Sequence, residues 1–295
     1  MFQENKYRQE PVVAKDLNIF KEELSEKDFQ AFSSFIYSQY GIKMPPVKRI
    51  MLQGRLLKRI RELNMNSYAE YKEFFFSKEG QQKEIFNFLN VITTNKTDFF
   101  REPVHFNFLS EVLLPEYFEN NSSGIFNVWS AGCSSGEEPY TISIILNEFK
   151  ANNPVFNFSI LGTDISHKVM NMAARGVYAA NKVDLMPLDY KKKYFLKSKD
   201  KMNPTVRVNP LLQKNITLKY LNLINGPYDI KEKYKVIFCR NVLIYFDRAT
   251  QEKVINNLCH HLEPGGYFFI GHSESLSGMN VPLKHIKPTI FQKII

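Results

Sequence analysis

A repeated order of short apolar strand, loop and helix follows residue 120, and this order constrains the fold more than any other feature. The first unit has a strand over Phe126–Ala131, a tight loop over Gly132–Glu138 and a helix over Pro139–Phe149 with proline in its first turn. A second strand, Phe158–Gly162, leads into Asp164 and another helix. Strands that alternate with helices predict a parallel sheet covered by helices on both faces.

Further strands extend this pattern towards the end of the chain. Lys235–Cys239 and Tyr267–Ile270 are buried strands on either side of a helix predicted over Thr250–Leu262. Before them, the stretch from about 192 to 222 has β-rich pieces at Thr205–Val208 and Ile216–Leu221 without a long helix between them. We expect these two pieces to form a small antiparallel insert.

The first part of the chain has a different periodicity. Between residues 24 and 92 apolar residues recur at spacings of three and four, which predicts a small all-helical domain. One of its helices is predicted from about Val47 to Leu63, beginning after Pro46. Residues 1–23 are rich in Gln, Glu, Asn, Lys and Arg without a long apolar run, and are expected to form a flexible tail. Residues 93–120 are predicted to be a linker, and 121–295 the sheet domain with its insert.

Composition excludes several classes of protein. The 295 residues are 44% apolar, which suffices for a buried core, and no run of about eighteen apolar residues predicts membrane insertion. The three cysteines have no metal-ligand spacing, so we expect no metal, no disulfide framework and a cytoplasmic location. The net charge of +9 suits nucleic acid, anionic lipid or an acidic protein, and does not choose among them.

Two segments indicate the ligand. The loop over residues 131–139 follows the first strand, where open α/β sheets bind ligands, and its glycines permit close backbone approach. Amides that open the next helix suit a carboxylate or a phosphate, while Glu137 or Glu138 could pair with an ammonium group. Asp164 ends the second strand, where an acid accepts ribose hydroxyls, although capping of the next helix is the alternative. A ligand that joins an amino acid to a ribose is S-adenosylmethionine.

Five sequence words in order carry a family resemblance. They are TTNKTDFFR at 93–101, SAGCSSGEEPY at 130–140, GTDIS at 162–166, IFCRNVLIYFD at 237–247 and GHSES at 271–275. From about residue 24 to 295 the chain resembles the CheR-type chemotaxis receptor glutamate methyltransferases. The resemblance implies a Rossmann-like S-adenosylmethionine-dependent methyltransferase domain with a small antiparallel β insert, preceded by a small all-helical domain.

The resemblance also implies an activity. Methyl passes from S-adenosylmethionine to glutamate side chains on the cytoplasmic helical domain of chemotaxis receptors, giving glutamate methyl esters and S-adenosylhomocysteine. The implied cofactor-binding residues are Asn95, Thr97, Arg101, Glu137, Asp164, Asn222, Leu223, Arg240 and Asn241. Arg101 and Tyr245 are implied to lie nearest the transferred methyl group as the catalytic pair. Without the resemblance, Arg101 would be interpreted as a surface ion-pair residue and Tyr245 as a core aromatic.

The predicted helix after Pro46 is strongly basic. It carries Lys48, Arg49, Arg55, Lys58, Arg59 and Arg61 against the single acid Glu62. A solvated basic face is one interpretation. The resemblance implies that this domain docks on the acidic receptor bundle, and we assign docking to Lys48, Arg55, Lys58 and Arg59.

Two other functions compete with receptor methylation. A nucleic-acid methyltransferase would suit the basic charge, but the chain lacks the Asn/Asp-Pro-Pro-aromatic word of amino-methylating enzymes, so no nucleic acid is expected as partner. A non-catalytic domain that only binds S-adenosylmethionine is disfavoured by the intact Arg101, Asp164 and Tyr245. Residues Leu196–Pro204 lack the glycine-containing loop of members that dock on a receptor's C-terminal peptide, which argues against peptide tethering. We expect a monomer.

Overall fold

A computed structural model describes residues 22–120 and 124–294 of the chain. The predicted flexible tail lies outside the described residues apart from its last two. The chain divides into two compact units. One contains the residues up to Ser38 together with Met44–Ile92, and the other contains Gln39–Lys43 together with Thr93–Ile295. Among the described residues, no helix reaches the combination of length and apolar character that crossing a bilayer requires.

The first unit is all-helical. Its helices are α1 (Glu26–Tyr40), a 3-10 turn (Pro46–Lys48), α2 (Arg49–Glu62), α3 (Tyr68–Phe76), α4 (Lys78–Lys83) and α5 (Ile85–Ile92). The helical spacing of α2 buries Leu52, Leu56 and Ile60 on one face. Phe75 and Phe88 belong to an aromatic cluster, and their ring centroids lie 4.3 Å apart. The predicted helix after Pro46 is confirmed, with its first turn wound as a 3-10 helix.

The second unit is built on a seven-stranded sheet. Its strands are β1 (Ile125–Ala131), β2 (Asn157–Asp164), β6 (Ile216–Tyr220), β7 (Tyr234–Cys239), β8 (Leu262–Ile270), β9 (Leu283–Lys287) and β10 (Ile290–Lys293). The order across the sheet is β6-β2-β1-β7-β8-β10-β9. The five strands from β6 to β8 run parallel, and β10 is antiparallel to both neighbours.

Helices accompany this sheet. They are α6 (Pro103–Phe108), a π-helical turn (Leu109–Leu113), α7 (Leu114–Asn120), α8 (Glu137–Asn152), α9 (His167–Arg175), 3-10 turns (Ala180–Val183 and Leu243–Tyr245), α10 (Leu188–Tyr194), α11 (Pro210–Gln213) and α12 (Arg248–His261). Alternate residues of β7 enter separate cores, Val236 and Phe238 in one and Ile237 and Cys239 in the other. The predicted sheet with two covered faces is therefore confirmed.

The antiparallel insert exists, but its predicted extent is wrong. It consists of β3 (Val177–Ala179), β4 (Phe195–Lys197) and β5 (Thr205–Val208), in the order β3-β5-β4. Its first strand precedes residue 192. The segment predicted as Ile216–Leu221 is not part of it, because β6 pairs in parallel with β2 at one edge of the main sheet. A short apolar strand has the same local pattern in either sheet, so its partner is decided by non-local pairing.

The strand order locates the ligand-binding edge. β1 has β2 on one side and β7 on the other, and the order of connections reverses between β1 and β7. Open α/β sheets bind ligands at such a switch point, outside the carboxyl ends of the strands. The segments that follow Ala131, Asp164 and Cys239 therefore lie at one end of the sheet.

Candidate active site

The loop between β1 and α8 owes its shape to two glycines. Gly132 has φ +82° and Gly136 has φ +97°, both in the left-handed region. A Cβ on Gly132 would lie 2.3 Å from Cγ2 of Val242, and one on Gly136 would lie 2.8 Å from Cβ of Ala173. We expected these glycines to permit close approach of a ligand. The close approach that the geometry requires is with neighbouring segments of the same chain.

Asp164 organises this loop from the end of β2. Its carboxylate accepts the amide of Ser134 at 2.9 Å and the amide of Ser166 at 2.9 Å. Burial raises the pKa of Asp164, while the hydrogen bonds from these amides oppose the rise. The helix-capping alternative is wrong, because the Ser166 hydroxyl caps α9 by accepting the amide of Val169. A carboxylate has lone pairs for about four hydrogen bonds, so Asp164 retains acceptors for a ligand.

The adjacent acids at the start of α8 have different surroundings. The side chain of Glu137 is 2% exposed, accepts the Ser135 hydroxyl at 2.6 Å and lies 3.3 Å from Nζ of Lys182. Glu138 accepts the Ser130 hydroxyl at 2.7 Å and lies 3.1 Å from Nε of Arg240. Burial raises the pKa of Glu138, although Arg240 and Ser130 oppose the rise. Glu138 therefore belongs to a buried ion cluster, whereas Glu137 contacts Ser135 and Lys182.

Arg240 is the centre of that ion cluster. It directly follows β7, is buried, and donates to the carbonyl of Arg101 at 2.5 Å and to Nδ1 of His105 at 3.1 Å. Its guanidinium also lies over the ring of Phe106 at 5.1 Å. Arg240 was expected on the floor of the cofactor site. Its observed contacts hold the backbone of Arg101 in place.

His105 contacts Arg240 in one tautomer. The Thr289 hydroxyl donates to the carbonyl of Pro288, so it must accept from Nε2 of His105 at 2.7 Å. Nδ1 is then unprotonated and accepts from Arg240. Burial, followed by the charge of Arg240, lowers the pKa of His105 to about 4. His105 is consequently neutral at physiological pH.

Glu102 completes the cluster. Its Oε2 is buried, has no hydrogen-bond partner among the described residues, and lies 3.8 Å from Arg240 and 3.6 Å from His105. Burial raises the pKa of Glu102, but Arg240, the His272 amide and Asn241 outweigh it, and the net shift is downward. Ligand atoms of Glu102, His105 and His272 lie within 4.8 Å of one another, a spacing that could hold a metal. The guanidinium beside them already supplies a positive charge, so the set favours Arg240 over a metal ion.

A further carboxylate shapes the turn after β7. Glu274 accepts the amides of Asn241 at 3.0 Å and Gly271 at 2.6 Å. Asn241 has φ +58° and its side chain donates to Glu102 at 3.3 Å. Glu102, His105 and Glu274 were missed by the sequence reasoning. Glu274 lies in the GHSES word and could have been found there, whereas Glu102 and His105 had no local signal.

The linker residues approach the glycine loop through their backbone. The carbonyl of Asn95 accepts the Ser134 hydroxyl at 3.0 Å, and the carbonyl of Thr97 accepts from Lys182 at 2.6 Å. The side chain of Arg101 is 36% exposed, donates to the carbonyl of Lys96 at 3.0 Å and lies 4.0 Å from Glu102. The structure thus links Asn95, Thr97, Glu137 and Asp164 in one network, and Arg101, Arg240 and Asn241 in another.

The remaining predicted site residues bond elsewhere. Asn222 is buried and donates to the carbonyl of Gln39 at 2.8 Å. Buried Leu223 accepts the Tyr228 hydroxyl at 2.6 Å through its carbonyl. Tyr245 lies in a 3-10 turn, is half-buried, and accepts the Lys43 amide at 2.8 Å through its carbonyl. Asn222 and Tyr245 therefore contact the segment Gln39–Lys43, which belongs to the sheet unit.

In the helical unit, the basic helix α2 is only partly a solvated face. Arg59 is 13% exposed, and its Nε lies 2.6 Å from buried Glu84. Arg55 donates to the carbonyl of Ile92. Lys58 is 67% exposed and lies 4.0 Å from Glu62. Two of the four predicted docking residues, Arg55 and Arg59, are therefore bound within their own unit, which the charge pattern could not reveal.

Family models cover both units. Residues 95–291 match the CheR methyltransferase SAM-binding domain, and residues 27–93 match the CheR methyltransferase all-alpha domain. The chain belongs to the CheR methyltransferase family. The predicted family and fold class are thereby confirmed, and this member of the CheR family is an S-adenosylmethionine-dependent methyltransferase of the chemotaxis type.

Relatives of this CheR protein extend over most of its length. It is 36% identical over 282 residues to the chemotaxis protein methyltransferase of Borreliella burgdorferi, covering 94% of this chain and 96% of the relative. The chain is also 36% identical to the probable chemotaxis protein methyltransferase of Rhizobium etli, covering 82% of this chain and 90% of the relative. Identity to chemotaxis protein methyltransferase 2 of Pseudomonas aeruginosa is 33%, covering 90% and 93%.

The CheR site fits the chemistry of S-adenosylmethionine. Two carboxylates are buried beside the adjacent strands β1 and β2: Glu137 opens the helix after β1, and Asp164 ends β2. The first amides of α8 have no intrahelical acceptor and favour a carboxylate. This ligand requires an acid for its ammonium group, amides for its carboxylate and a second acid for its ribose.

Proposed function

We propose that this CheR-family protein methylates glutamate side-chain carboxylates of chemotaxis receptors, acting in the cytoplasm as a monomer. The observation that carries this proposal is the half-exposed guanidinium of Arg101. One N–H group of this guanidinium donates to the carbonyl of Lys96, and buried Arg240 donates to the backbone carbonyl of Arg101. A guanidinium has five donors, so the remaining ones are available to an incoming carboxylate.

The chemistry asks little of the protein beyond alignment. When bound, S-adenosylmethionine supplies a sulfonium methyl group, which becomes the glutamate methyl ester while S-adenosylhomocysteine is left. A glutamate carboxylate, with a reference pKa of about 4.3, is ionised at neutral pH and needs no general base. Alignment can contribute on the order of 7 to 11 kcal/mol. We assign it to Arg101, which positions the carboxylate, and Tyr245, which fixes the methyl end.

The cofactor contacts are proposed from the same site. Glu137 takes the ammonium group and Asp164 the ribose hydroxyls, since both retain lone pairs beside their present partners. The linker residues Asn95 and Thr97 form one wall. The remaining proposed contacts are Asn222 and Leu223 near adenine, and Arg240 and Asn241 on the floor. The contacts of Arg240 support an indirect role, in which it holds Arg101.

The helical unit is the proposed receptor-docking element. Lys58 is exposed on α2 and remains suited to an acidic receptor surface, whereas Arg55 and Arg59 are bound within the unit. Lys48 stays a proposed docking residue from the resemblance. Lys58→Glu should raise the KM for receptor and reduce its salt dependence, because charge attraction acts on encounter and is screened by salt. Lys83→Glu is the matched control, since Lys83 is similarly exposed and also pairs with a glutamate four residues away. Equal KM values for the two variants would contradict docking through α2.

The function is tested by the chemistry of its product. The protein is incubated with methyl-labelled S-adenosylmethionine and receptor-containing membranes, and alkali is then added. Volatile labelled methanol is expected, because carboxyl methyl esters are base-labile. Arg101→Ala and Tyr245→Phe should lower turnover without lowering the melting temperature to the same degree. Alkali-stable label on nucleic acid, or cofactor binding without transfer, would overturn the proposal.

A further inference from the structure

A lysine of the β insert reaches the residues proposed to hold the cofactor. Lys182 lies in the 3-10 turn Ala180–Val183, immediately after β3. Its Nζ donates to the carbonyl of Thr97 at 2.6 Å and to Oδ1 of Asp98 at 2.8 Å, and lies 3.3 Å from Oε1 of Glu137. One ammonium group therefore bridges the insert, the linker and the start of α8.

Glu137 depends on this contact. Its carboxylate is almost completely buried, and a buried carboxylate is costly unless hydrogen bonds or an opposite charge compensate it. The Ser135 hydroxyl compensates one oxygen, and Lys182 is the charge beside the other. Burial lowers the pKa of Lys182, but Asp98 and Glu137 outweigh it and raise the pKa overall. Lys182 is therefore a permanent cation at this position.

A second contact joins the insert to the same loop. The Tyr178 hydroxyl on β3 donates to the carbonyl of Ser135 at 2.7 Å. On the linker, the ring of Phe99 packs against Tyr178 at 5.1 Å and against Phe195 of β4 at 5.3 Å. Rings and hydrogen bonds thus fix the backbone from which Lys182 extends.

We propose that Lys182 is a positioning residue for the amino-acid end of S-adenosylmethionine. It holds the Glu137 carboxylate in place and orders residues 97–98 of the linker, so that cofactor affinity depends on a side chain of the β insert. This inference rests on the proposed pairing of Glu137 with the cofactor's ammonium group. The free lone pairs of Glu137 accept that ammonium, while Lys182 and Ser135 fix the carboxylate plane.

Two ligands separate positioning from a general structural role. S-adenosylhomocysteine carries the amino-acid end, whereas 5′-methylthioadenosine has the nucleoside and thioether without it. In calorimetry on the full chain, Lys182→Met should weaken S-adenosylhomocysteine binding by about tenfold, the size of one charge-assisted hydrogen bond, and leave 5′-methylthioadenosine binding unchanged. Lys182→Arg should restore part of the loss, because it keeps the charge.

The matched control is Lys193→Met, which removes another insert lysine that forms an ion pair, with Glu148 at 2.8 Å. It should bind both ligands as the wild type does. Lys182→Gln serves as a second variant should Lys182→Met not fold. The inference would be overturned if Lys182→Met weakened the binding of both ligands equally or left S-adenosylhomocysteine binding unchanged. It would also be overturned if the variant bound S-adenosylhomocysteine more tightly, because Lys182 would then be a competing cation. If the wild type binds 5′-methylthioadenosine but not S-adenosylhomocysteine, the Glu137 assignment itself is wrong.

Discussion

At the scale of single residues, the buried ion cluster depends on a neutral histidine. Arg240 has the carboxylates of Glu102 and Glu138 within 4 Å, and His105 accepts one of its N–H groups. A charged imidazole could not accept this hydrogen bond and would stand beside a like charge. The cluster therefore opposes protonation of His105, and this opposition makes stability depend on pH.

The pH dependence has a defined sign. The pKa of His105 falls from 6.5 in the unfolded chain to about 4 in the folded protein. The unfolded state binds the proton more readily, so folding stability is lost as pH falls through this window. Between pH 7.5 and 5 the loss should be about 2 kcal/mol. The amide of His105→Gln can replace both hydrogen bonds but does not titrate. Denaturant unfolding of this variant should therefore no longer show the loss of about 2 kcal/mol between the two pH values.

The control for this prediction is His285→Gln, because His285 is an exposed histidine of β9. It should retain the wild-type difference in unfolding free energy between the two pH values. If the free energy of unfolding changed with pH equally in His105→Gln and the wild type, the prediction would be wrong. His105 would then be protonated in the folded protein or not coupled to Arg240.

At the scale of elements, helix α2 is held by a buried ion pair. Two nitrogens of Arg59 contact both oxygens of Glu84 at 2.6 and 2.8 Å, and Tyr71 donates to the same carboxylate at 3.0 Å. Arg59→Met should lower the free energy of unfolding by roughly 3 kcal/mol, because Glu84 keeps a buried charge without its main partner. Thermal unfolding of Arg59→Met, compared with Lys58→Met on the exposed side of α2, measures the difference.

A second substitution distinguishes the buried charge from lost packing. Replacing both partners, as in Arg59→Met with Glu84→Leu, removes the uncompensated carboxylate and should recover part of the lost stability. Lys58→Met should stay within about 0.5 kcal/mol of the wild type. A double variant less stable than Arg59→Met alone would assign the loss to packing.

At the scale of the whole molecule, the chain does not divide at a single point. The segment Gln39–Lys43 belongs to the sheet unit, although helical segments precede and follow it. Gly41 has φ +66°, and a Cβ there would lie 2.7 Å from Cγ2 of Ile224. Deleting everything before residue 93 would therefore remove part of the sheet unit as well. The domain boundary at residue 92 stays a prediction that only such a deletion tests.

Two glycine substitutions measure how much the sheet unit depends on this segment. Gly41→Ala should lower the free energy of unfolding by roughly 1 to 3 kcal/mol, through its left-handed backbone and the close contact with Ile224. Gly54→Ala lies in α2, where a Cβ would meet nothing within 4 Å, and should raise stability by about 0.5 to 1 kcal/mol. Denaturant unfolding gives both values. If Gly41→Ala did not lower the free energy of unfolding relative to Gly54→Ala, segment 39–43 would contribute little to the stability of the sheet unit.

The sequence by itself determined the local structure and the family. Strand, loop and helix over residues 126–149 follow from apolar periodicity and from proline and glycine, which act within a few residues. The five sequence words identified the family because each holds several residues in a fixed local order. Asp164 could be proposed as a cofactor ligand because it ends a strand that is visible in the sequence, whereas only the family resemblance chose Glu137 over Glu138.

Only the tertiary structure decided which distant groups meet. Lys182 contacts Thr97 across 85 positions, and Arg240 contacts His105 across 135. β6 joins the main sheet through pairing with β2, and Arg59 is bound by a glutamate 25 residues away. No local pattern encodes such partners, because they follow from chain topology and from the cost of leaving buried charges uncompensated.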